Sequence, residues 1–142
     1  MYLDSCIIVK LLVVEPDSEF FIGSLEGKPL VTSELAQTEV FSALLARERA
    51  GKISAADRRR AWREFELRIE AKEIRIEKMN SIALHKATHL LERCHPKVPL
   101  RTLDAIHLAT AEALGDPPAL VIIVTRDLRV RENATALGYP VE

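Results

Sequence analysis

Residues 120–124 read Leu-Val-Ile-Ile-Val, an unbroken apolar run with no polar face. An amphipathic helix or a half-solvated strand keeps one wet side. A strand covered on both faces does not, and such strands belong to parallel sheets wrapped by helices. The run therefore predicts an α/β fold, and the rest of the chain agrees. Met1-Tyr2-Leu3, Pro29-Leu30-Val31-Thr32 and Ile74-Arg75-Ile76 read as further short strands. Tyr139-Pro140-Val141 reads as a last edge strand, where proline is tolerated.

Capping and stop signals bound the helices between them. Ser5 caps a helix through Val13, with Cys6, Val9 and Leu12/Val13 on one face. Pro16 suits the first turn of a second helix that Gly23 ends. Ser33 caps a long helix to about Ala50, lined by Leu35, Val40, Leu44 and Leu45 and stopped by Gly51. Ser54 and Asp57 form a capping arrangement for a helix over about 55–71. Asn80 caps 81–94, closed by His95-Pro96. Thr102 caps 103–114, closed by Gly115 and the breaker Asp116-Pro117-Pro118, and a last helix covers about 127–137 before Gly138.

With 142 residues and no linker, repeat or low-complexity tract, residues 1–142 are expected to form a single domain. A composition of 48% hydrophobic and 29% charged residues excludes a disordered chain. No apolar run approaches the roughly 18 residues of a membrane span. Asp4 and Lys10 interrupt the first apolar stretch, so no secretory signal is read and a cytoplasmic protein is expected. Cys6 and Cys94 suit neither a disulfide framework nor a four-ligand zinc site.

Net charge is −1, but it is unevenly spread. Residues 1–42 carry seven acids against Lys10 and Lys28, a balance of −5. Residues 43–63 carry seven bases against Glu48 and Asp57, a balance of +5. Acid beside base suits a polyanion held next to a metal, or simply a solvated helical hairpin.

In a parallel sheet, ligands bind beyond the carboxyl ends of the strands. Asp4 closes the first strand, and Asp127 lies three residues past Val124. Asp104 interrupts the apolar segment from Leu103 to Ala111, where a carboxylate needs a capping role, a cation or a metal. Glu39 follows the second strand on a helix that could bring it to the sheet edge. Four carboxylates converging on one pocket repel one another unless a multivalent cation sits among them. Oxygen-only ligands select a hard ion, Mg²⁺ or Mn²⁺, and such ions bind substrate phosphates. Ser5 and Thr125 place hydroxyls beside the two strand-end acids, to hold a water or phosphate oxygen, or to serve as a cap and a turn residue.

These residues resemble a PIN-domain ribonuclease, specifically a toxin of the VapC type. The pieces that carry the likeness are Tyr2-Leu3-Asp4-Ser5, Glu39 in a Ser-Glu-Leu-Ala-x-x-Glu-Val context, and Arg101 to Ala111 around Leu103-Asp104-Ala105. Thr125-Arg126-Asp127 follows, with Ala-Leu-Gly-Tyr-Pro-Val near the end. They occur in the family's order and span residues 2 to 141. The resemblance implies a PIN-like three-layer α/β/α sandwich with a mainly parallel central sheet. It implies that Asp4, Glu39, Asp104 and Asp127 form an acidic site for Mg²⁺ or Mn²⁺, and that RNA is cleaved there. It implies a homodimer neutralised by a small antitoxin that lays a peptide across the site.

On that basis Asp4 and Asp104 bind the metal directly. Glu39 binds it directly or through water and orients the attacking water, and Asp127 contacts it through water or holds a second ion. In-line attack leaves a 3′-hydroxyl and a 5′-phosphate. Arg126, Arg129 and Arg131, with Arg47 and the other bases of 43–63, are candidate phosphate contacts or ordinary surface charges. His107, one turn after Asp104, either touches the site or is packed within its helix. His85, His89, Cys94 and His95 superficially suggest zinc, but Cys94 shares the apolar face of Ala87, Leu90 and Leu91, so structural histidines are expected. Trp62 and Phe65 stack bases or, as the expectation here, pack the helical hairpin or an interface. Two other functions remain: a metal-dependent phosphatase of small molecules, weakened because Cys6 stands where that chemistry places a second Asp, and a non-catalytic RNA- or protein-binding module.

Overall fold

The computed structural model describes residues 1–142. Its elements are β1 (Tyr2–Leu3), α1 (Ser5–Leu12), α2 (Ser18–Leu25), β2 (Leu30–Ser33), α3 (Leu35–Arg49), α4 (Ala55–Glu70) and β3 (Ile74–Glu77). They continue with α5 (Ser81–Cys94), α6 (Thr102–Glu112), a 3₁₀ turn at Pro118–Leu120, β4 (Ile123–Val124) and α7 (Leu128–Ala136). The strands form one sheet in the order β3-β2-β1-β4, and every pairing is parallel. Register runs through Tyr2 opposite Val31 on one side and Ile123 on the other, with Leu3 opposite Val124. The chain winds outward from β1 to β3 and then crosses back to place β4 on the far side of β1. The topological switch point therefore lies between the carboxyl ends of β1 and β4.

Successive strand residues point to opposite faces, and the core divides accordingly. Tyr2, Val31 and Ile123 join residues of α5, α6 and α7 in one cluster. Leu3, Val124 and Ile74 join α1 to α4 in the other, through side chains such as Ile7, Phe21, Val40, Leu44 and Phe65. This is the expected three-layer α/β/α sandwich. No helix is long and apolar enough to cross a membrane.

Several caps match the sequence reading. The Ser33 hydroxyl accepts from the Leu35 amide at 3.2 Å. Ser54 and Asp57 make both halves of a capping box, and Asn80 accepts from the Ala83 amide at 2.9 Å. Others differ. Asp4, in extended backbone, caps α1, and Ser5 is its first helical residue. The buried face of α1 is Ile7, Ile8, Val9 and Leu11, because the helix is covered from two directions, and it stops at Leu12. Pro16 precedes α2 rather than opening it. Gly23 lies inside that helix, which continues to Leu25; the left-handed residue beyond it is Gly27, at φ +68°. Thr102 is the first residue of α6, and Arg101 precedes it with no side-chain cap.

The apolar run 120–124 is a strand only at Ile123–Val124. Pro117-Pro118 fix φ and withhold amides, and Leu120 and Val121 bond back to the Pro117 and Pro118 carbonyls in a tight turn. Leu120 is left 74% exposed. The final segment does pair with β4, but through a single parallel bridge between Ile123 and Val141.

Candidate functional site

Asp4 ends β1 at the switch point and caps α1, so the backbone fixes where its carboxylate points. Its Oδ1 accepts from the Ser5 hydroxyl at 3.3 Å, and its Oδ2 accepts from Thr125 Oγ1 at 2.5 Å. Thr125 is fully buried just past β4, and the same hydroxyl accepts from the Asp127 amide at 3.1 Å. One threonine thus locks Asp4 to the turn carrying Asp127. Asp127 in turn caps α7, its Oδ1 accepting from the Arg129 and Val130 amides at 2.8 and 3.3 Å.

Glu39 arrives on α3 and Asp104 on the first turn of α6. Burial opposes ionisation of Glu39, but the hydrogen bond from His107 outweighs it, helped by the nearby Ser5 hydroxyl, and holds the carboxyl below its usual range. Ser5 therefore lies between Asp4 and Glu39. Asp104 behaves in the opposite way. Burial pushes its carboxyl up, and the neighbouring charges of Asp127 and Asp4 push further in the same direction. Its Oδ2 is buried and has no hydrogen-bond partner. The four acids expected from the sequence thus share one neighbourhood at the carboxyl end of the sheet.

They are spread rather than clenched: no three His, Cys, Asp or Glu side chains already form a chelating set. Asp4, Glu39 and Asp127 each have an oxygen engaged by a neighbour. The donors nevertheless fit a hard divalent cation. They are all oxygens, they are anionic, and the orphaned Asp104 Oδ2 is a buried lone-pair site that a cation would satisfy.

His107 is 4% exposed and bridges two elements. Its Nε2 lies 2.6 Å from Glu39 Oε2, and its Nδ1 lies 2.9 Å from the Tyr2 hydroxyl. The sequence reading left its role open and did not single out Tyr2; the one available signal was the spacing of His107 one turn after Asp104. Cys6 touches the site as well, its Sγ 3.4 Å from Asp4 Oδ2, and burial with the Asp4 charge pushes its thiol up to about 12.

The arginines divide. Arg126 reaches Asp17 at 3.1 Å and lies over the Phe21 ring, while Arg131 donates to the Thr125 carbonyl at 3.2 Å. Arg47 pairs with Glu15. Lys10 joins Glu15 and Asp17 at 2.7 and 2.6 Å, so Arg47 and Arg126 belong to one ion-pair chain that the sequence did not reveal. A groove of about 730 Å³ opens beside Asp127, with Val98, Pro99, Arg126, Leu128 and Arg129 on its walls. The other signals are structural. His85 and His89 stack edge to face on the outside of α5 while Cys94 turns into the core. Trp62 packs between Phe41 and Phe65 within the hairpin.

Comparison with known proteins points to one family. The PIN-domain family model matches residues 1–135. The chain is 40% identical over 142 residues to Ribonuclease VapC46 of Mycobacterium tuberculosis (strain ATCC 25618 / H37Rv), covering 99% of this chain and 95% of that protein. It is 34% identical over 142 residues to Ribonuclease VapC45 of the CDC 1551 / Oshkosh strain, covering 97% and 91%. It is 28% identical over 144 residues to Ribonuclease VapC35 of that strain, covering 99% and 94%.

Proposed function

The chain belongs to the PIN-domain family, and from that premise we propose that it is a VapC-type toxin endoribonuclease whose reaction centre is Asp4, Glu39, Asp104 and Asp127. The observation that carries the site is Asp104: a half-buried carboxylate whose Oδ2 is buried without a partner, flanked by two further acids at the switch point. Such a group is costly in an apoprotein and useful only to a cation.

Asp4 and Asp104, with Glu39 and Asp127 beside them, would hold a divalent ion, Mg²⁺ or Mn²⁺, which would supply Lewis acidity toward a phosphate and its attacking water. The protein's own groups do the rest. Thr125 and Ser5 hold the Asp4 carboxylate and keep the site ordered before substrate arrives. Glu39, kept ionised, accepts a hydrogen bond from the attacking water and orients it. Arg129 and Arg126, on the wall of the adjacent groove, bind RNA phosphates and set the strand's path. Arg126 gives up Asp17 to do so.

The expected products carry a 3′-hydroxyl and a 5′-phosphate. The expected partners are a cognate antitoxin and a second copy of the chain, and the expected location is the cytoplasm, where RNA is available. The phosphatase alternative gains no support, because Cys6 stands two residues past Asp4 with a thiol that gives up no proton near neutral pH.

The test is cleavage of total RNA by antitoxin-free protein. Discrete cuts that require Mg²⁺ or Mn²⁺ and fall by about 10²-fold or more in Asp104→Asn are expected. Cuts that persist in chelator and in Asp104→Asn overturn the assignment.

A further inference from the structure

Behind Glu39 runs a hydrogen-bonded chain, Tyr2–His107–Glu39, whose first two members have no part in the chemistry above. Tyr2 is 1% and His107 4% exposed, so neither reaches solvent for its polar partner. The three residues sit on β1, α6 and α3; Asp4 directly follows β1 and Asp104 shares α6. Hydrogen-bond accounting assigns the chain a direction. A carboxylate only accepts, so His107 Nε2 carries the proton given to Glu39 Oε2 at 2.6 Å. Nδ1 faces the Tyr2 hydroxyl at 2.9 Å, and that hydroxyl pairs with it as donor to a bare nitrogen or as acceptor from a protonated one. In either form the Nε2 proton points at Glu39 and both ring nitrogens have a partner.

We propose that His107 is a positioning residue for Glu39: held in place by Tyr2, it commits Oε2 and leaves Oε1 as the oxygen that faces a divalent cation or its water. The proposal rests on the four-carboxylate reading. Its physical basis is general: a carboxylate held by an outer hydrogen bond meets its ligand in one rotamer, whereas a free one must be ordered on binding. The T-shaped packing of the Tyr2 and His107 rings, centroids 6.0 Å apart, fixes the imidazole plane as well as its protonated edge.

The experiment uses the full chain and two readouts: calorimetric affinity for Mn²⁺ without RNA, and kcat and KM for a defined RNA. His107→Phe keeps the ring volume and removes both nitrogens. It is expected to weaken Mn²⁺ binding by about 10- to 100-fold and to lower kcat with little change in KM. His107→Gln, which restores an N–H near the Nε2 position, is expected to recover most of both. Tyr2→Phe leaves the imidazole but removes the hydrogen bond that holds Nδ1, and should weaken Mn²⁺ binding by a few-fold.

Glu39→Gln is the reference. If it loses Mn²⁺ affinity while folded His107→Phe binds like wild type, the positioning role is overturned and the carboxylate site stands. If His107→Gln is no better than His107→Phe, the histidine is only packing and the proposal also fails. If Glu39→Gln binds Mn²⁺ as wild type does, the site reading itself is wrong. Should His107→Phe not fold, Tyr2→Phe decides: unchanged affinity overturns the proposal, a few-fold loss supports it.

Discussion

Asp104 is a side chain whose function and stability pull in opposite directions. Burial and the charges of Asp127 and Asp4 raise its proton affinity in the folded state above that of the unfolded chain. The sign follows directly: the folded state binds the proton more tightly, so stability is greatest below the unfolded-state value and is lost as pH rises through the folded one. At neutral pH the whole cost is present. In chelator, Asp104→Asn should therefore be more stable than wild type by about 1 kcal/mol, after allowance for solvent screening of a half-exposed group. For a chain of this size that is a rise in Tm of about 2–4 °C. Thermal scans at several pH values check it, and the gap should close as the solution is acidified. Saturating Mn²⁺ should reverse the order, because only the wild type gains binding energy. An Asn variant that melts below wild type in chelator would contradict the charge strain argued for Asp104.

At this scale Asp4, Asp127 and Asp104 stand out because each breaks a pattern, a carboxylate at or just past a strand end or inside an apolar segment, whereas Glu39 breaks none and is a candidate only in company with the other three. Tyr2 and His107 break none. Tyr2 reads as strand core and His107 as either a site or a packed residue, and the chain to Glu39 runs through contacts spanning 105 and 68 positions, which a sequence pattern does not display.

At the scale of elements, one residue serves the helix and the chemistry at once. Asp127 caps α7 through the Arg129 and Val130 amides, and it also faces the other acids. Asn and Asp are nearly equal as caps, whereas Ala costs about 1 kcal/mol. Asp127→Asn should therefore keep the melting temperature and lose RNA cleavage, while Asp127→Ala should lose both, with a Tm lower by about 2–4 °C. Equal melting temperatures for the two variants would mean that the cap contributes nothing. The same capping logic explains which boundaries could be read in advance. Ser33, Ser54 with Asp57, and Asn80 signal locally, through bonds within three residues. The strand at 120–124 fails because hydrophobicity alone was read there; the two prolines before it impose a 3₁₀ turn, and the sheet has length only for Ile123–Val124.

At the scale of the molecule, the uneven charge of the sequence is resolved by pairing. Of the seven bases in 43–63, Arg47 pairs with Glu15, Arg58 with Glu48, Arg60 with Asp57, and Arg63 lies 3.5–3.6 Å from Glu66 and Glu70. The hairpin is also remote. Arg49 lies ten residues beyond Glu39 on the same helix, about 15 Å along its axis at 1.5 Å per residue. That exceeds the Debye length of about 8 Å at physiological salt, so the arm adds little field at the reacting phosphate. RNA is left with Arg126, Arg129 and Arg131 around the Asp127 turn. Counterion release then makes a quantitative demand. Three phosphate contacts to single-stranded RNA give a slope of log K against log salt of about −2, at roughly −0.7 per contact. Recruitment of Arg49, Lys52 and Arg59 as well would steepen it to about −4. Anisotropy titrations of a labelled single-stranded RNA with the Glu39→Gln variant, across a series of KCl concentrations, distinguish the two. A slope near −2 that flattens further in Arg129→Gln places the RNA at the Asp127 groove; a slope near −2 that Arg129→Gln leaves unchanged places it along the helical hairpin, and a slope of −4 or steeper means that it spans both.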